Sequence, residues 1–259
     1  MTTTPRWPYP RLIGHRGGGD QAPENTLAGL RAARAAGLDG VEFDAMLAGD
    51  GVAILMHDHR LGRTVAGRGS VAGLRSTDLQ GRDAGSYLHP RFQGEGVPTL
   101  DQALSELEVL ALWANIEIKP APGHDSATGA VVAQTVWHWW QRRTGANVVA
   151  PDGVAAPLLS SFSMPALHAA RQAAPGLARA LLVDAIPRDV EVRLQAVDAR
   201  ALHVRHDHLS PEAVQRLHAG GWGVMAYTVN DPDRASTLLA WGVDAVCTDR
   251  LDLAGARPG

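Results

Sequence analysis

Lysine is almost absent from this chain. Of its 24 lysine and arginine residues, Lys119 is the single lysine. Cysteine is as scarce: Cys247 stands alone, which excludes an internal disulfide and fits a reducing cytoplasm. No run of 18 or more apolar residues occurs, so no membrane-spanning helix is expected. The opening stretch MTTTPRWPYPR holds no apolar core of signal-peptide length. Net charge is only -3, and no basic cluster is interleaved with aromatics, so nucleic acid is not an expected partner. These absences are compatible with a cytoplasmic protein that makes no stable membrane association; a small-molecule partner is implied by the site motifs and not by composition. They do not decide between a monomer and a homo-oligomer. The lone lysine is itself a signal. A compact ammonium, needed where a guanidinium fork does not serve, would account for keeping it in an arginine-rich chain. Glu117, two residues away in NIEIKP, favours that reading over chance survival at a surface.

What is present is alternation. Short β-rich runs fall at 11–15, 40–45, 113–118, 157–162, 179–183, 200–204, 223–229 and 244–248. Helical stretches lie near 24–36, 99–110, 126–143, 164–174, 187–197, 210–219 and 231–241, with a last short helix at 250–255. Pro23-Glu24-Asn25-Thr26, Ser210-Pro211-Glu212 and Asn230-Asp231-Pro232 open helices, and Gly37, Gly220 and Gly242 close them. Strict alternation implies parallel strands with right-handed crossovers. Eight units predict an α/β fold, a closed (β/α)8 TIM barrel, as one catalytic domain over 1–259. The Pro-, Gly- and Ala-rich stretch 146–157 reads as a loop.

One run breaks the alternation. ILMHD follows VEFDA too closely for a parallel crossover, so the two form an antiparallel hairpin. Asp50-Gly51 suits a two-residue turn, which pairs positions summing to 101 and sets residue 44 opposite residue 57. A slip of one residue would turn His57 to the other face. Residues 59–98 then form a long excursion that starts beside His57 and is expected to cap the site.

The candidate chemistry sits at the C-terminal ends of strands, where barrel enzymes keep their catalytic groups. Glu42 and Asp44 are two apart and share a strand face. Two carboxylates on one face repel unless a cation lies between them. Glu117 adds a third, and three carboxylates make a hard oxygen site for one divalent cation, Mg²⁺ or Ca²⁺. His15 and His57 suit proton transfer near neutral pH, with metal ligation as an alternative for His57. Arg16 offers a planar fork and Lys119 a second positive point, a set that fits a phosphate. His59 is expected on the surface and His206 and His208 in a loop. His203 ends its strand and could face the pocket. Trp137, Trp139 and Trp140 suit packing on the barrel wall. Phe162 and Tyr227 could line the pocket, with core packing an equal alternative. Gly17-Gly18-Gly19 lacks the phosphate-loop spacings and fits a close backbone approach instead.

The motifs HRGG…APENT, VEFD, DG…MHD, NIEIKP, LLSSF, YTVN and VCTD, in this order, resemble the glycerophosphodiester phosphodiesterase family, most of all its short cytosolic bacterial type. The resemblance runs from about residue 7 to 253. It implies a barrel with a hairpin and a small insertion after the second strand. It further implies hydrolysis of glycerophosphodiesters, such as glycerophosphocholine or glycerophosphoethanolamine, to sn-glycerol 3-phosphate and an alcohol. Residue by residue, it makes His15 and His57 the acid–base pair and Arg16 the phosphate contact. Glu42, Asp44 and Glu117 become the metal ligands, and Lys119 a substrate-site lysine. It leaves open whether a glycerol hydroxyl attacks first to give a cyclic phosphate or water attacks directly. Two other readings compete: a lyase that stops at the cyclic phosphate, which would need a lipid-facing surface, and a non-catalytic phosphodiester-binding protein, which would be expected to have lost a histidine or an acid.

Overall fold

The computed structural model describes residues 7–145 and 153–255. Among them, eight parallel strands form the barrel: β1 (Leu12–Gly14), β2 (Gly40–Leu47), β4 (Trp113–Ile118), β5 (Leu158–Ser161), β6 (Ala178–Val183), β7 (Ala201–Arg205), β8 (Gly223–Tyr227) and β9 (Ala245–Thr248). Pairing of β1 with both β9 and β2 closes the ring. A short β3 (Ala53–Leu55) is added antiparallel to the end of β2. The helices α1 (Leu27–Ala35), α3 (Leu100–Leu110), α4 (Asp125–Thr144), α5 (Met164–Ala173), α6 (Val190–Ala196), α7 (Pro211–Ala219) and α8 (Pro232–Ala240) lie between the barrel strands. The expected (β/α)8 barrel is therefore the architecture.

Helix starts follow their caps. The side-chain oxygens of Thr26, Ser210 and Asp231 accept backbone N–H groups of the first turns of α1, α7 and α8. α1 begins at Leu27 and not at Glu24, because Asn25 sits at φ 57 with its side chain engaged elsewhere. After β9, the expected last helix is a 3₁₀ turn, Leu251–Gly255. Of the loop at 146–157, residues 146–152 lie outside the described residues.

Side chains fill the barrel axis, as the fold requires. Near the N-terminal end Trp113 stacks on Tyr9 at 4.6 Å, and Trp7 packs on both. Trp139 and Trp140 of α4 are buried in the cluster between helices and sheet, which bears out wall packing. His203 corrects an expectation. β7 runs on to Arg205, so His203 lies one pleat below the rim, fully buried, with its ring 6.2 Å from that of Trp7. It points into the barrel axis and does not line the cavity described below.

The hairpin exists, but its register is not the expected one. Ala45 pairs with Leu55, Met46 with Ile54 and Leu47 with Ala53, so paired positions sum to 100. The cause is a three-residue loop. Gly51 N–H donates to the Ala48 carbonyl, Gly51 takes φ 78, and Ala48 N–H closes onto Val52. Asp44 therefore faces Met56, whose N–H it accepts. The ladder stops at Leu55, so His57 is freed from strand alternation and turns back toward the barrel mouth.

The stretch from Met56 to Pro98 holds α2 (Ser76–Gln80) and two 3₁₀ turns. Its own small core joins Leu61, Val65, Val71, Leu79 and Val97 to Met46 and Ile54 of the hairpin. Arg63, Tyr87, Arg91 and Glu95 then tie it to the loop and first turn that follow β1.

Candidate active site

A cavity of about 190 Å³ opens at the C-terminal ends of the strands and is lined by His15, Arg16, Glu42, Asp44, His57, Glu117 and Lys119, among others. The seven residues assigned to the site from the sequence are thus brought to one place. Glu42 and Asp44 point inward from β2, and Asp44 lies beside Glu117 in the β2–β4 register. All three carboxylates are buried, at 5%, 1% and 8% exposure, and one oxygen of each lies within 4.8 Å of the others. Burial, then repulsion from Asp44, pushes the Glu42 pKa up to about 7. The same two causes push Glu117 up to about 8. Asp44 stays ionised. Burial opposes that most strongly, but Lys119, Arg16, His57 and the Asn25 amide together lower its pKa.

Such crowding of hard oxygen donors fits a Mg²⁺ or Ca²⁺ ion, since a divalent charge would relieve the repulsion that raises Glu42 and Glu117. The triad could hold a metal. The cations nearby balance it only in part. Lys119 Nζ lies 3.0 Å from Glu117 and 3.5 Å from Asp44. Arg16 Nε stands 3.7 Å from Asp44 and makes no hydrogen bond. That leaves a buried donor facing the cavity.

The loop after β1 is shaped around these groups. Arg16, at φ 50, donates its backbone N–H to Glu42 at 2.9 Å. Asn25 brackets Asp44, donating to its carboxylate and accepting its backbone N–H, both at 2.9 Å. A Cβ on Gly19 would stand 2.1 Å from the Asp249 carbonyl oxygen, so only glycine lets this loop rest on the end of β9.

Each imidazole is held by its own carboxylate. His15 Nδ1 lies 2.7 Å from Asp249, which in turn accepts from the Asn230 amide at 2.8 Å. His57 Nδ1 lies 2.7 Å from Asp58. An ionised carboxylate only accepts, so Nδ1 carries the proton in both rings and Nε2 is left for other work. Burial is the largest influence on His15 and lowers its pKa, but Asp249 and Glu42 outweigh it and the net shift is upward. For His57 burial prevails and the pKa falls. Phe162 and Tyr227 meet edge to face at 6.1 Å on the cavity wall. Phe162 stays 44% exposed, which makes it a wall residue and not core. His59 is exposed, as expected, and His206–His208 form a 3₁₀ turn after β7.

The model of the glycerophosphoryl diester phosphodiesterase family matches residues 15–253, from the first of these histidines to the turn after β9. The chain belongs to the glycerophosphoryl diester phosphodiesterase family. With membership comes the enzyme class, a phosphoric diester hydrolase. A glycerophosphodiester phosphodiesterase of Caldanaerobacter subterraneus is 27% identical over 245 residues, covering 92% of this chain and 93% of that protein. Its Bacillus subtilis counterpart is 28% identical over 253 residues, covering 93% and 84%. A phosphodiesterase of Oleispira antarctica, solved with the product sn-glycerol-3-phosphate, is 34% identical, covers 96% of each chain and superposes with a TM-score of 0.87.

Several residues of this family site escaped the sequence reading. Asp58, Asp249, Asn230, Asn25 and Glu24 all lie inside the recognised motifs, but no spacing ties them to the site, and in the sequence Glu24, Asn25 and Asn230 read only as helix-start signals. His15 and Asp249 are 234 positions apart, and nothing short of barrel closure brings them together.

Proposed function

We propose that the protein hydrolyses glycerophosphodiesters, such as glycerophosphocholine or glycerophosphoethanolamine, to sn-glycerol 3-phosphate and an alcohol. Glu42, Asp44 and Glu117 would hold one Mg²⁺ or Ca²⁺ ion. The observation that carries the reading is the pairing of a buried acidic triad with two imidazoles, each pinned through Nδ1, in one cavity. The product bound to the Oleispira relative supports the substrate class. When bound, the divalent ion supplies Lewis-acid polarisation of the phosphoryl oxygens.

The remaining work falls to side chains. Arg16 and Lys119 place two positive charges at the cavity and bind the anionic phosphoryl oxygens of the diester. One imidazole takes, at Nε2, the proton of the attacking hydroxyl as its oxygen bonds to phosphorus. The other, carrying a second proton as imidazolium, gives it from Nε2 to the alcohol oxygen as its bond to phosphorus breaks. Attack by water gives sn-glycerol 3-phosphate directly; attack by a glycerol hydroxyl gives a cyclic phosphate that water then opens. Asp58 and Asp249 hold Nδ1–H of the two rings and leave Nε2 for these transfers. The insertion forms part of the same catalytic unit and caps the cavity from the β3 side. No helix among the described residues is long and apolar enough to cross a membrane, and the lone buried Cys247 suits the cytoplasm.

The test is release of sn-glycerol 3-phosphate from glycerophosphocholine by wild type, His15→Ala and His57→Ala. Each substitution is expected to lower kcat by about a hundredfold or more, as loss of a general acid or base does. Near-wild-type turnover in either variant would remove that histidine from the mechanism.

A further inference from the structure

We infer that Arg63, on the insertion, is a positioning residue that sets His57 and Arg16 relative to one another. The inference rests on the roles proposed above for those two residues. Arg63 uses three donors at once. Nε donates to Asp58 at 2.7 Å, Nη1 to Glu24 at 2.6 Å and Nη2 to the other Glu24 oxygen at 2.8 Å. The far oxygen of Asp58 holds His57 Nδ1 at 2.7 Å. Glu24 also accepts from Arg16 Nη1 at 2.9 Å. One unbroken chain of charge-assisted hydrogen bonds therefore runs His57–Asp58–Arg63–Glu24–Arg16, and Arg63 is its middle link.

The guanidinium is required by shape. It grips Glu24 with two parallel bonds and turns a third donor to Asp58, a fork that an ammonium does not reproduce. Both carboxylates answer to it. The Arg63 hydrogen bond is the largest cause holding the Asp58 pKa down to about 2, and the same bond leads among the causes that lower Glu24 once burial is overcome. The Arg63 side chain is itself 46% exposed and reaches neither the acidic triad nor the cavity wall. Half-exposed ion pairs of this kind add little to stability. Their geometric consequence is larger: Asp58 cannot rotate away from His57, and Glu24 cannot draw Arg16 out of the cavity, while Arg63 holds both.

The test compares wild type with Arg63→Met and Arg63→Lys, neither of which removes a group proposed to touch substrate. Thermal midpoints should stay close to wild type, and Mg²⁺ affinity by calorimetry should not change. In both variants kcat is expected to fall about tenfold or more and KM to rise several-fold, since the reacting groups lose their alignment. A second readout needs no substrate. Ring ¹⁵N spectra, with His57 assigned through His57→Gln, should show the pure Nδ1–H tautomer in wild type at neutral pH and a mixture in Arg63→Met. Full wild-type kinetics in Arg63→Lys would overturn the need for the fork. Unchanged ring spectra together with unchanged kinetics in Arg63→Met would overturn the positioning role. A wild-type protein without activity on glycerophosphodiesters would defeat the proposed function and still leave the ring spectra to decide on Arg63.

Discussion

Three carboxylates crowd into one small volume at Glu42, Asp44 and Glu117, and Lys119 and Arg16 balance their charge only in part. With the Glu42 pKa up at about 7 and Glu117 at about 8, divalent binding has to displace protons from the apo site. Ca²⁺ or Mg²⁺ affinity should therefore rise as pH climbs from about 6 to 8, with proton release that calorimetry in buffers of different ionisation enthalpy can count. Glu42→Gln should weaken binding at least tenfold and release fewer protons; equal affinity and equal release would take Glu42 out of the coordination sphere. At this scale the sequence was informative wherever chemistry repeats along one strand. Glu42 and Asp44, or Glu117 and Lys119, declare themselves by a spacing of two. Asp249 and Asp58 do not, because their value lies in what they hold, and that contact is made only in the folded barrel.

Hairpin and loop geometry decide where His57 and Arg16 arrive. The antiparallel β2–β3 hairpin was legible from Asp50-Gly51, but its register was not, since the same glycine can end a two-residue turn or a three-residue loop with φ above zero. The two differ by one residue, and His57 reaches the cavity only because the ladder has already ended at Leu55. Two glycines separate conformational from steric demands. A Cβ on Gly51 meets nothing within 4 Å, so Gly51→Ala pays only for φ 78, about 1 kcal/mol. A small drop in the urea midpoint with kcat unchanged is the expected result. Gly19→Ala drives a methyl into the Asp249 carbonyl. It should cost activity as well as stability, because Asp249 orients His15. Equal effects of the two substitutions would contradict this division of roles.

Closure of eight parallel strands is what gathers residues from 15 to 247 into one cavity, and alternation along the chain was enough to foresee it. The depth of a residue in the barrel was harder to foresee, as His203 shows. Burial pushes its pKa down to about 3, and neither ring nitrogen finds a partner. The unfolded chain takes up this proton near pH 6.5 and the folded one near 3. The contribution of neutral His203 is thus complete above pH 6.5 and is lost as pH falls toward 3, with a slope of about 1.4 kcal/mol per unit. His203→Met should leave the urea midpoint near wild type at pH 7.5 and flatten its decline toward pH 5. An unaltered pH profile would show that other groups carry the acid sensitivity. The same closure makes the central claim testable in a single assay: a divalent ion held by acids from β2 and β4 is needed for cleavage of the ester. Release of sn-glycerol 3-phosphate from glycerophosphocholine, followed before and after thorough treatment with EDTA, should vanish on chelation and return with added Mg²⁺ or Ca²⁺; turnover that survives complete chelation would contradict it.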